Sequence, residues 1–387
     1  MKKLLVLFVF LLQSLLFAGN FNFNGTKSYT LVERTDLRRY DNGKYIGLLS
    51  REIKAFISPL QADSGNLYDG NFYVNQDTRR GVSYVTTGIH DAIPSVFNIS
   101  EDGKLSMIED NGYPTFRSFP SFPQKEINIG ESWEAEAERT VDPLNKGIFT
   151  KMPMYIKYTY LRDEIYHEEE VFLLSAKWAT RYGTGTKFYD PDGDNQLLSA
   201  SGNHSATMYI SKKTGNAIVV RDSVEEMFTY SDGNKITFKG TISLFTEYPP
   251  TINSDEIIPL VTEVEGVNVE KTNAGLKLTL SDLKFKPNSS ELLDGEKIRL
   301  LQIAEVLKKV PKSQFLVEGH TASTGNPNGE MNLSIERAHA IVNELVKLGI
   351  NPESFICKGS GSLKPIADNS TPEGKAKNRR VEITILE

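Results

Sequence analysis

Residues 317–348 read VEGHTASTGNPNGEMNLSIERAHAIVNELVKL, and this stretch decides the fold of the C-terminal part of the chain. Its start belongs to a strand predicted over 314–320, which runs into a small, polar loop over 320–331. A helix is predicted over 332–348, because apolar residues recur there at helical spacing and Gly349 ends the pattern. The residues that this pattern turns towards the core are Ala338, Ile341, Leu345 and Leu348. A strand, a loop and a helix in this order predict an α/β layer.

The neighbouring segments complete this layer. A first helix is predicted over 290–309, ended by Pro311, and a hairpin precedes it in residues 267–280. The core positions of this first helix are Leu300, Ile303, Leu307 and Val310. Two further strands follow the second helix, FICKG at 355–359 and RVEITIL at 380–386. The prediction is a compact βαβαββ layer, with helices packed on a sheet and a right-handed crossover between its parallel strands.

Residues 20–250 read as antiparallel sheet almost throughout. Apolar and polar residues alternate in the runs, so that Ile156, Tyr158 and Tyr160, for example, share one face. Residue pairs that favour tight turns separate the runs, namely Asn42-Gly43, Asp69-Gly70, Asp102-Gly103, Asn111-Gly112, Asp192-Gly193, Thr214-Gly215 and Asp232-Gly233. The pattern predicts an all-β region, built as an antiparallel sandwich or as curved sheets, with a possible division into two subdomains near Asp142.

The chain of 387 residues is long enough for two or three domains. A signal peptide is predicted at residues 1–19, because two lysines precede an apolar stretch that spans only about 21 Å as a helix, against a hydrocarbon core of ~30 Å. Cleavage near its end is favoured over retention as an anchor. A linker at 251–264 joins the β region at 20–250 to the C-terminal domain at 265–387.

Composition excludes some classes of protein. The formal net charge of −6 argues against a nucleic-acid-binding protein, which needs a basic excess or stripe. No segment after the signal is long and apolar enough for a transmembrane helix. Cys357 is the only cysteine, so no disulfide can form within the chain, and we expect it to be a small buried residue of a strand.

Some residues of the β region resemble parts of metal or catalytic sites without completing one. Asp190, Asp192 and Asp194 have the alternate spacing of a calcium loop, but the turn glycine and the final glutamate are missing, so a hairpin turn is the preferred interpretation. No partner at recognisable spacing accompanies the histidines of this region, His90, His167 and His204. The sequence therefore predicts no catalytic residue, no metal site and no cofactor.

A binding site is predicted where the loop over 320–331 meets the second helix. This loop leaves the carboxyl end of a parallel strand, where α/β sheets collect ligands, and the helix N-terminus favours anions. Arg337 lies at the margin of the apolar stripe of that helix, where its guanidinium can hold a carboxylate with two hydrogen bonds. Arg379 and Arg380 add a second cationic corner. On these residues alone, exposed arginines beside a loop remain the alternative.

Four blocks of the C-terminal region carry a resemblance to a known family: PNSSEL, EGHTASTG, NLSIERAHAIV and KPIADNSTPEGKAKNRRVEI. In sequence, order and spacing they resemble the OmpA-like C-terminal domain, a peptidoglycan-associating module, and the resemblance covers about residues 265–387. It implies a domain that holds the zwitterionic end of diaminopimelate in the peptide stem of the cell wall. The family arginine that binds the carboxylate matches Arg337, and three further family positions match Asn288, Thr321 and Arg379.

Two departures from the family pattern bear on function. The family aspartate that receives the ammonium group falls on Ala322, and the spacing to Arg337 leaves no room for a gap. Glu330 stands where the family usually has asparagine. Seven helical residues place Glu330 on the face of Arg337, about 10.5 Å away, so that it either supplies a substitute carboxylate or draws Arg337 from the ligand.

We therefore expect a non-catalytic periplasmic protein, associated with the outer membrane, whose OmpA-like domain has weakened or lost binding to diaminopimelate-type peptidoglycan. Its β region is expected to contact another envelope component. One alternative is a functional wall anchor for a different stem peptide, such as one with ornithine, which has no second zwitterionic end. Another is an enzyme or ligand carrier in the β region, tethered by the OmpA-like domain. A buried cluster of titratable residues around a histidine would favour the enzyme, and an apolar cavity would favour the carrier.

Overall fold

A computed structural model of the chain describes residues 18–25, 27–60, 67–79, 90–250, 252–272, 274–281, 283–286 and 289–387. Most of the predicted signal peptide, residues 1–17, lies outside the described residues, and so does Asn288. Ala18 and Gly19 form a short strand. In the described part of the chain, no helix combines the length and the apolar character needed to cross a membrane.

The N-terminal region consists of strands of two to 17 residues, all but one of which pair antiparallel in the described part of the chain. They are β1 (Ala18–Gly19), β2 (Tyr29–Asp41), β3 (Lys44–Pro59), β4 (Leu67–Arg79), β5 (His90–Asp91), β6 (Ile93–Ile99), β7 (Leu105–Glu109), β8 (Phe116–Arg117), β9 (Ile127–Asn128), β10 (Ser132–Val141), β11 (Thr150–Tyr166), β12 (Glu169–Gly183), β13 (Leu197–Ser211), β14 (Ala217–Tyr230) and β15 (Lys235–Glu247). Twelve of them form one sheet in the order β7-β6-β4-β3-β2-β15-β14-β13-β12-β11-β10-β8, while β1 pairs with β9. Asp142 lies in the connection between β10 and β11, which pair with each other.

Most of the predicted turns join neighbouring strands of this sheet. Asn42 and Gly43 connect β2 to β3 with φ of +49° and +82°, the left-handed conformation that a two-residue hairpin loop requires. One predicted turn is wrong, because Asp69-Gly70 lies inside β4. A Cβ on Gly70 would come within 2.6 Å of the Phe72 ring, so glycine is needed there for aromatic packing and not for a turn.

The large sheet is curved, and its alternating strands turn one face inwards. Ile156, Tyr158 and Tyr160 are at most 1% exposed, as the period of two predicts. The two edge strands, β7 and β8, are close in sequence, and the backbone N–H of Leu105 donates to Ser118 Oγ at 3.0 Å. The curvature therefore brings the two edges of the sheet together around one hydrophobic core. The all-β, curved-sheet prediction is confirmed.

The C-terminal region is an α/β domain. Its elements are α1 (Ser254–Thr262), β16 (Val267–Thr272), β17 (Gly275–Ser281), α2 (Asp294–Leu307), β18 (Phe315–Gly319), α3 (Pro327–Lys347), a 3-10 turn (Pro352–Ser354), β19 (Phe355–Gly359), α4 (Pro372–Asn378) and β20 (Arg380–Leu386). The sheet order is β16-β17-β20-β18-β19-β5, with β18 and β19 parallel and β20 antiparallel to β18. The predicted core positions of both helices are buried, except Val310 and Leu348, which are half-buried.

Two helix starts differ from the prediction, and helices α1 and α4 were not predicted. Helix α2 begins four residues late, because Leu292 pairs with Phe285 in an antiparallel bridge instead. Helix α3 begins five residues early, where the Asn326 side chain accepts a hydrogen bond from Gly329 N and Pro327 occupies the first turn. Helix α1 lies within the segment predicted as linker.

The two regions contact each other through strand pairing and a small apolar cluster. Strand β5 adds to the C-terminal sheet as a parallel neighbour of β19. Phe56 and Tyr73 pack against Ile356 and Leu386, and all four side chains are buried. The β region therefore covers the face of the C-terminal sheet that α2 and α3 leave free.

Candidate functional site

The predicted binding loop lies between β18 and α3. Gly319 ends β18, and a Cβ at this position would lie 2.0 Å from the backbone oxygen of Ser334 in α3. Glycine thus allows the helix to approach the end of the strand closely. This contact sets the position of α3, and with it Arg337, relative to the loop.

Arg337 lies on α3 with 9% of its surface exposed. Its Nε donates to Ser289 O at 3.4 Å, and its guanidinium carbon lies 4.7 Å from the centre of the Phe285 ring. Burial, and then the positive charge of Arg379, lowers the pKa of Arg337. Within the described residues these contacts include no carboxylate. Two arginines of like charge, one of them largely desolvated, form a place where an anion would be stabilised.

Two loop residues that were predicted to lie in the binding site are buried. Thr321 and Ala322 are 5% and 6% exposed, and Thr321 N donates to Gly361 O at 2.8 Å. The Thr321 hydroxyl is buried and has no hydrogen-bond partner in the described part of the chain. Ser323 N donates to Asn369 Oδ1 at 3.1 Å, which joins this loop to the segment before α4. The methyl group of Ala322 offers no charge to a ligand's ammonium group.

Glu330 organises the loop. One carboxylate oxygen accepts hydrogen bonds from Thr324 N, from Thr324 Oγ1 at 2.8 Å and from Asn326 N at 3.3 Å, and the other accepts from Ser362 Oγ. The hydrogen bonds from Ser362 and Thr324 lower the pKa of Glu330 to about 2. Both oxygens are thus engaged within the protein. Among the contacts of the described residues, Glu330 does not pair with Arg337.

Residues that the sequence did not single out hold the site together. Asn378 is fully buried, and its side chain accepts from Ile366 N and Ala367 N and donates to Ala367 O and Asn369 Oδ1 at 2.8 to 3.0 Å. Arg379 follows it directly and is exposed. The sequence signal that could have indicated this role is the position of Asn378 in the Asn-Arg-Arg run, which belongs to the blocks that carry the family resemblance.

A buried charged group lies beneath the loop, on the sheet face that meets the β region. Glu318, His320 and Glu382 place one ligand-type atom each within 4.8 Å of one another, and in the described residues no other group does so. Lys364 Nζ donates to Glu318 at 3.0 Å, and Arg380 Nε donates to Glu382 at 2.7 Å. Lys364 and Arg380 thus pair with the carboxylates of Glu318 and Glu382, so that the group forms a buried ion network.

The histidines of the β region differ in their surroundings. His167 lies in a two-residue turn between β11 and β12, with φ of +46°. His204 is buried, with Nδ1 2.6 Å from Asp222 and Nε2 3.0 Å from Glu226, and Arg139 pairs with Glu226 at 2.7 Å. The side chain of His90 lies outside the described residues.

The cluster around His204 is the feature expected of the enzyme alternative, but its contacts are those of a structural network. Burial alone lowers the pKa of His204, while the hydrogen bonds to Asp222 and Glu226 raise it above its ordinary value. The protonated imidazole and Arg139 then balance two carboxylates. Each imidazole nitrogen faces a carboxylate, and the Thr180 hydroxyl, 3.2 Å from Nε2, donates to Glu226.

The calcium-like segment is held by protein groups. Asp190 accepts hydrogen bonds from Lys151 N at 2.7 Å and Asp192 N at 3.1 Å. Asp194 is buried and pairs with Lys146 at 2.8 Å. The segment connects β12 to β13, which pair with each other, so the hairpin interpretation is confirmed. Cys357 is buried in β19, as predicted.

Comparisons with known proteins identify the C-terminal domain. Residues 284–379 match the model of the OmpA family. The chain is 37% identical over 126 residues to the probable lipoprotein YiaD of Escherichia coli, covering 32% of this chain and 58% of that protein. It is 35% identical over 108 residues to the peptidoglycan-binding protein ArfA of Mycobacterium tuberculosis, covering 28% and 33%.

A solved structure of an outer membrane protein from Borrelia burgdorferi B31 is 40% identical, covers 31% of this chain and 97% of that one, and has a TM-score of 0.27. The chain thus spans 58% of the first of the two relatives above and a third of the second. Both matches to those relatives cover about a third of this chain or less. Residues 284–379 of this chain form a domain of the OmpA family.

Proposed function

We propose that this chain is a non-catalytic protein of the bacterial cell envelope, whose OmpA-family domain holds a carboxylate of the peptidoglycan stem peptide between Arg337 and Arg379. We further propose that it binds the zwitterionic end of diaminopimelate weakly, because Ala322 offers no negative charge to the ammonium group. The relative ArfA, which is named a peptidoglycan-binding protein, supports the ligand class. The β region would contact a second component of the envelope.

One observation carries this proposal: Arg337 is largely buried beside Arg379, and its described contacts include no acid. Burying a guanidinium without a counter-ion is unfavourable, so a bound carboxylate would relieve both desolvation and like-charge repulsion. Glu330 cannot take the carboxylate's place, because its oxygens accept hydrogen bonds from Thr324, Asn326 and Ser362. Arg337 and Arg379 could therefore bind the carboxylate of a zwitterionic ligand.

The missing acid sets the expected size of the defect. A hydrogen bond to a charged group contributes ~1.5–3 kcal/mol, which corresponds to roughly 10- to 150-fold in affinity. Ala322→Asp should restore binding by a factor in this range, since position 322 lies in the same buried loop as Thr321. Arg337→Ala should abolish the binding that remains.

Co-sedimentation of the full chain with diaminopimelate-type sacculi tests these expectations. Lys347→Ala is a matched control, because it removes one positive charge from the exposed C-terminal end of the same helix. Weak retention of the unsubstituted chain, stronger retention of Ala322→Asp and none of Arg337→Ala would support the proposal. Strong retention that neither substitution changes would mean that the chain binds the wall at another site.

A second candidate is an anchor for a wall whose stem peptide carries ornithine. Ala322 supports this candidate as well, because an acid at position 322 would have no ammonium group to bind in a stem peptide without a second zwitterionic end. Parallel sedimentation with ornithine-type sacculi separates the two candidates. Tight, Arg337-dependent retention on ornithine walls, unimproved by Ala322→Asp, would favour this anchor and exclude a generally impaired site.

A further inference from the structure

The curved sheet of the N-terminal region encloses a cavity that the proposed wall-binding site does not use. It lies between the inner face of β2, β3 and β6 and an aromatic segment, residues 113–122, which we call the strap. The strap contains the edge strand β8, follows the opposite edge strand β7 in the chain, and reads YPTFRSFPSF. Side chains that line the cavity include Tyr29, Ile53, Ala55, Phe97, Phe119 and Leu244. Its wall is therefore mostly aromatic and aliphatic.

The size of the cavity limits what it can hold. Its volume is about 100 Å³, whereas pockets for drug-sized ligands occupy ~300–1,000 Å³. An engineered apolar cavity of about 150 Å³ binds benzene and stays dry otherwise. The present cavity is smaller still, so it suits a narrow apolar group such as the end of an unbranched alkyl chain better than a ring.

Among the described residues that line the cavity, one side chain is charged, that of Glu33, and its charge is already paired within the protein. Glu33 is 5% exposed, and its carboxylate accepts hydrogen bonds from Thr115 Oγ1 in the strap and from Arg51 at 3.1 Å. Its charge is thus satisfied inside the protein. The Glu33–Thr115 hydrogen bond also fastens the strap to β2, so that the strap closes the cavity.

The cavity approaches solvent along one side of the strap. Leu105 at the start of β7, Ser118 and Phe119 line it and are only half-buried, whereas Tyr29 and Phe97 on the opposite wall are buried. An amphiphile with its chain end inside can therefore leave its polar end in water beside Leu105. We propose that the N-terminal region binds the end of a linear alkyl chain, such as that of a fatty acid or a membrane lipid, beneath the strap.

Both tryptophans of the chain contact the strap and report on its occupancy. Trp133 Nε1 donates to Ser121 O at 3.0 Å, and the ring of Trp178 lies 5.3 Å from that of Phe119 in an edge-to-face arrangement. Tryptophan fluorescence of the full chain, titrated with saturated alkanoates of six to fourteen carbons, should change saturably. Each added methylene that enters the cavity should raise affinity about four-fold, the equivalent of ~0.8 kcal/mol, until the cavity is full.

Two substitutions fill the cavity without adding charge, Ala55→Leu on β3 and Ala217→Leu on β14. Each should weaken alkanoate binding at least ten-fold. Ala135→Leu is the matched control, because Ala135 packs on the same core outside the cavity and should leave affinity unchanged. If a filled variant does not fold by circular dichroism, the chain-length dependence of the unsubstituted protein still decides the question.

Three results would each overturn the proposal. They are the absence of saturable alkanoate binding, an affinity of the two filled variants equal to that of the unsubstituted chain, and tighter binding of benzene than of hexanoate. Vesicles of phosphatidylethanolamine and phosphatidylglycerol with a labelled acyl chain separate the two sources of such a chain. Transfer of the label to the protein assigns the occupant to membrane lipid. Binding of free alkanoates without such transfer assigns it to free fatty acids, and both outcomes support an alkyl site.

Discussion

Replacing Glu330 by glutamine should loosen the binding loop without removing any ligand contact. The carboxylate accepts four hydrogen bonds, three of them from Thr324 and Asn326 in the loop and one from Ser362. A hydrogen bond to a charged group contributes ~1.5–3 kcal/mol and a neutral one ~0.5–1.5 kcal/mol. Losing about half to one kcal/mol at each of four bonds destabilises the closed loop by about 2–4 kcal/mol.

Hydrogen exchange of the full chain measures this change. The amides of Thr324 and Asn326 donate to Glu330, so their exchange at pH 7 should accelerate roughly 30- to 1,000-fold in the variant, following the 1.4 kcal/mol per decade relation. Glu336→Gln is the control, because Glu336 is exposed on the same helix. Unchanged exchange in Glu330→Gln would refute the assignment of Glu330 as the brace of this loop.

The difference in amide exchange rate between the unsubstituted chain and Glu330→Gln should also depend on pH in a defined direction. The pKa of Glu330 is lowered from an ordinary value of 4.5 to about 2, so the stabilisation that it gives is complete above pH 4.5 and is lost as the pH falls through 2. Exchange rates of the unsubstituted chain and of Glu330→Gln should therefore converge between pH 4.5 and 2. A rate difference as large at pH 2 as at pH 7 would contradict this mechanism.

Three further predictions concern other residues of the two regions. Gly319→Ala should destabilise the OmpA-family domain by ~1–3 kcal/mol in denaturant unfolding, because the new Cβ meets Ser334 O at 2.0 Å, and exposed Gly295→Ala, whose Cβ meets nothing, should not. Asn378→Ala should cost ~2–5 kcal/mol in the same assay, because it removes the four hydrogen bonds of a fully buried side chain; a loss below about 0.5 kcal/mol would mean that water replaces the side chain. His204 has a raised pKa, so its stabilising contribution is present below pH 6.5 and is lost as the pH rises through its folded-state pKa. Unfolding of the β region, followed by the fluorescence of Trp178, which stacks on His204, should show this loss in the unsubstituted chain but not in His204→Gln.

Local patterns predicted the elements whose residues lie close in sequence. The apolar stripe of α3 needs only its own period, and Ala338, Ile341 and Leu345 are buried as that period requires. The turn at Asn42-Gly43 needs only two residues that tolerate positive φ. Asp69-Gly70 is also a pair that favours turns, but it lies within β4, which pairs with β3 and β6 from distant parts of the sequence.

Features assembled from distant segments were beyond such patterns. His204, Glu226 and Arg139 lie on β13, β14 and β10, and no spacing in the sequence indicates that they meet. The cavity likewise depends on how far the sheet curves and where the strap crosses it. For the wall site, the sequence supplied the residue types, but the engagement of Glu330 by Thr324 and Ser362 depends on the folded loop.

The pairing of β5 with β19 limits how freely the OmpA-family domain can be exchanged between proteins. Cutting the chain between the β region and the OmpA-family domain would expose Ile356 and Leu386 on one fragment and Phe56 and Tyr73 on the other. All four side chains are at most 4% exposed in the intact chain. Each fragment would then have an exposed apolar patch next to an unpaired strand edge, and both features favour association with other chains. Grafting such a half onto a new partner would invite self-association unless those four positions were first made polar.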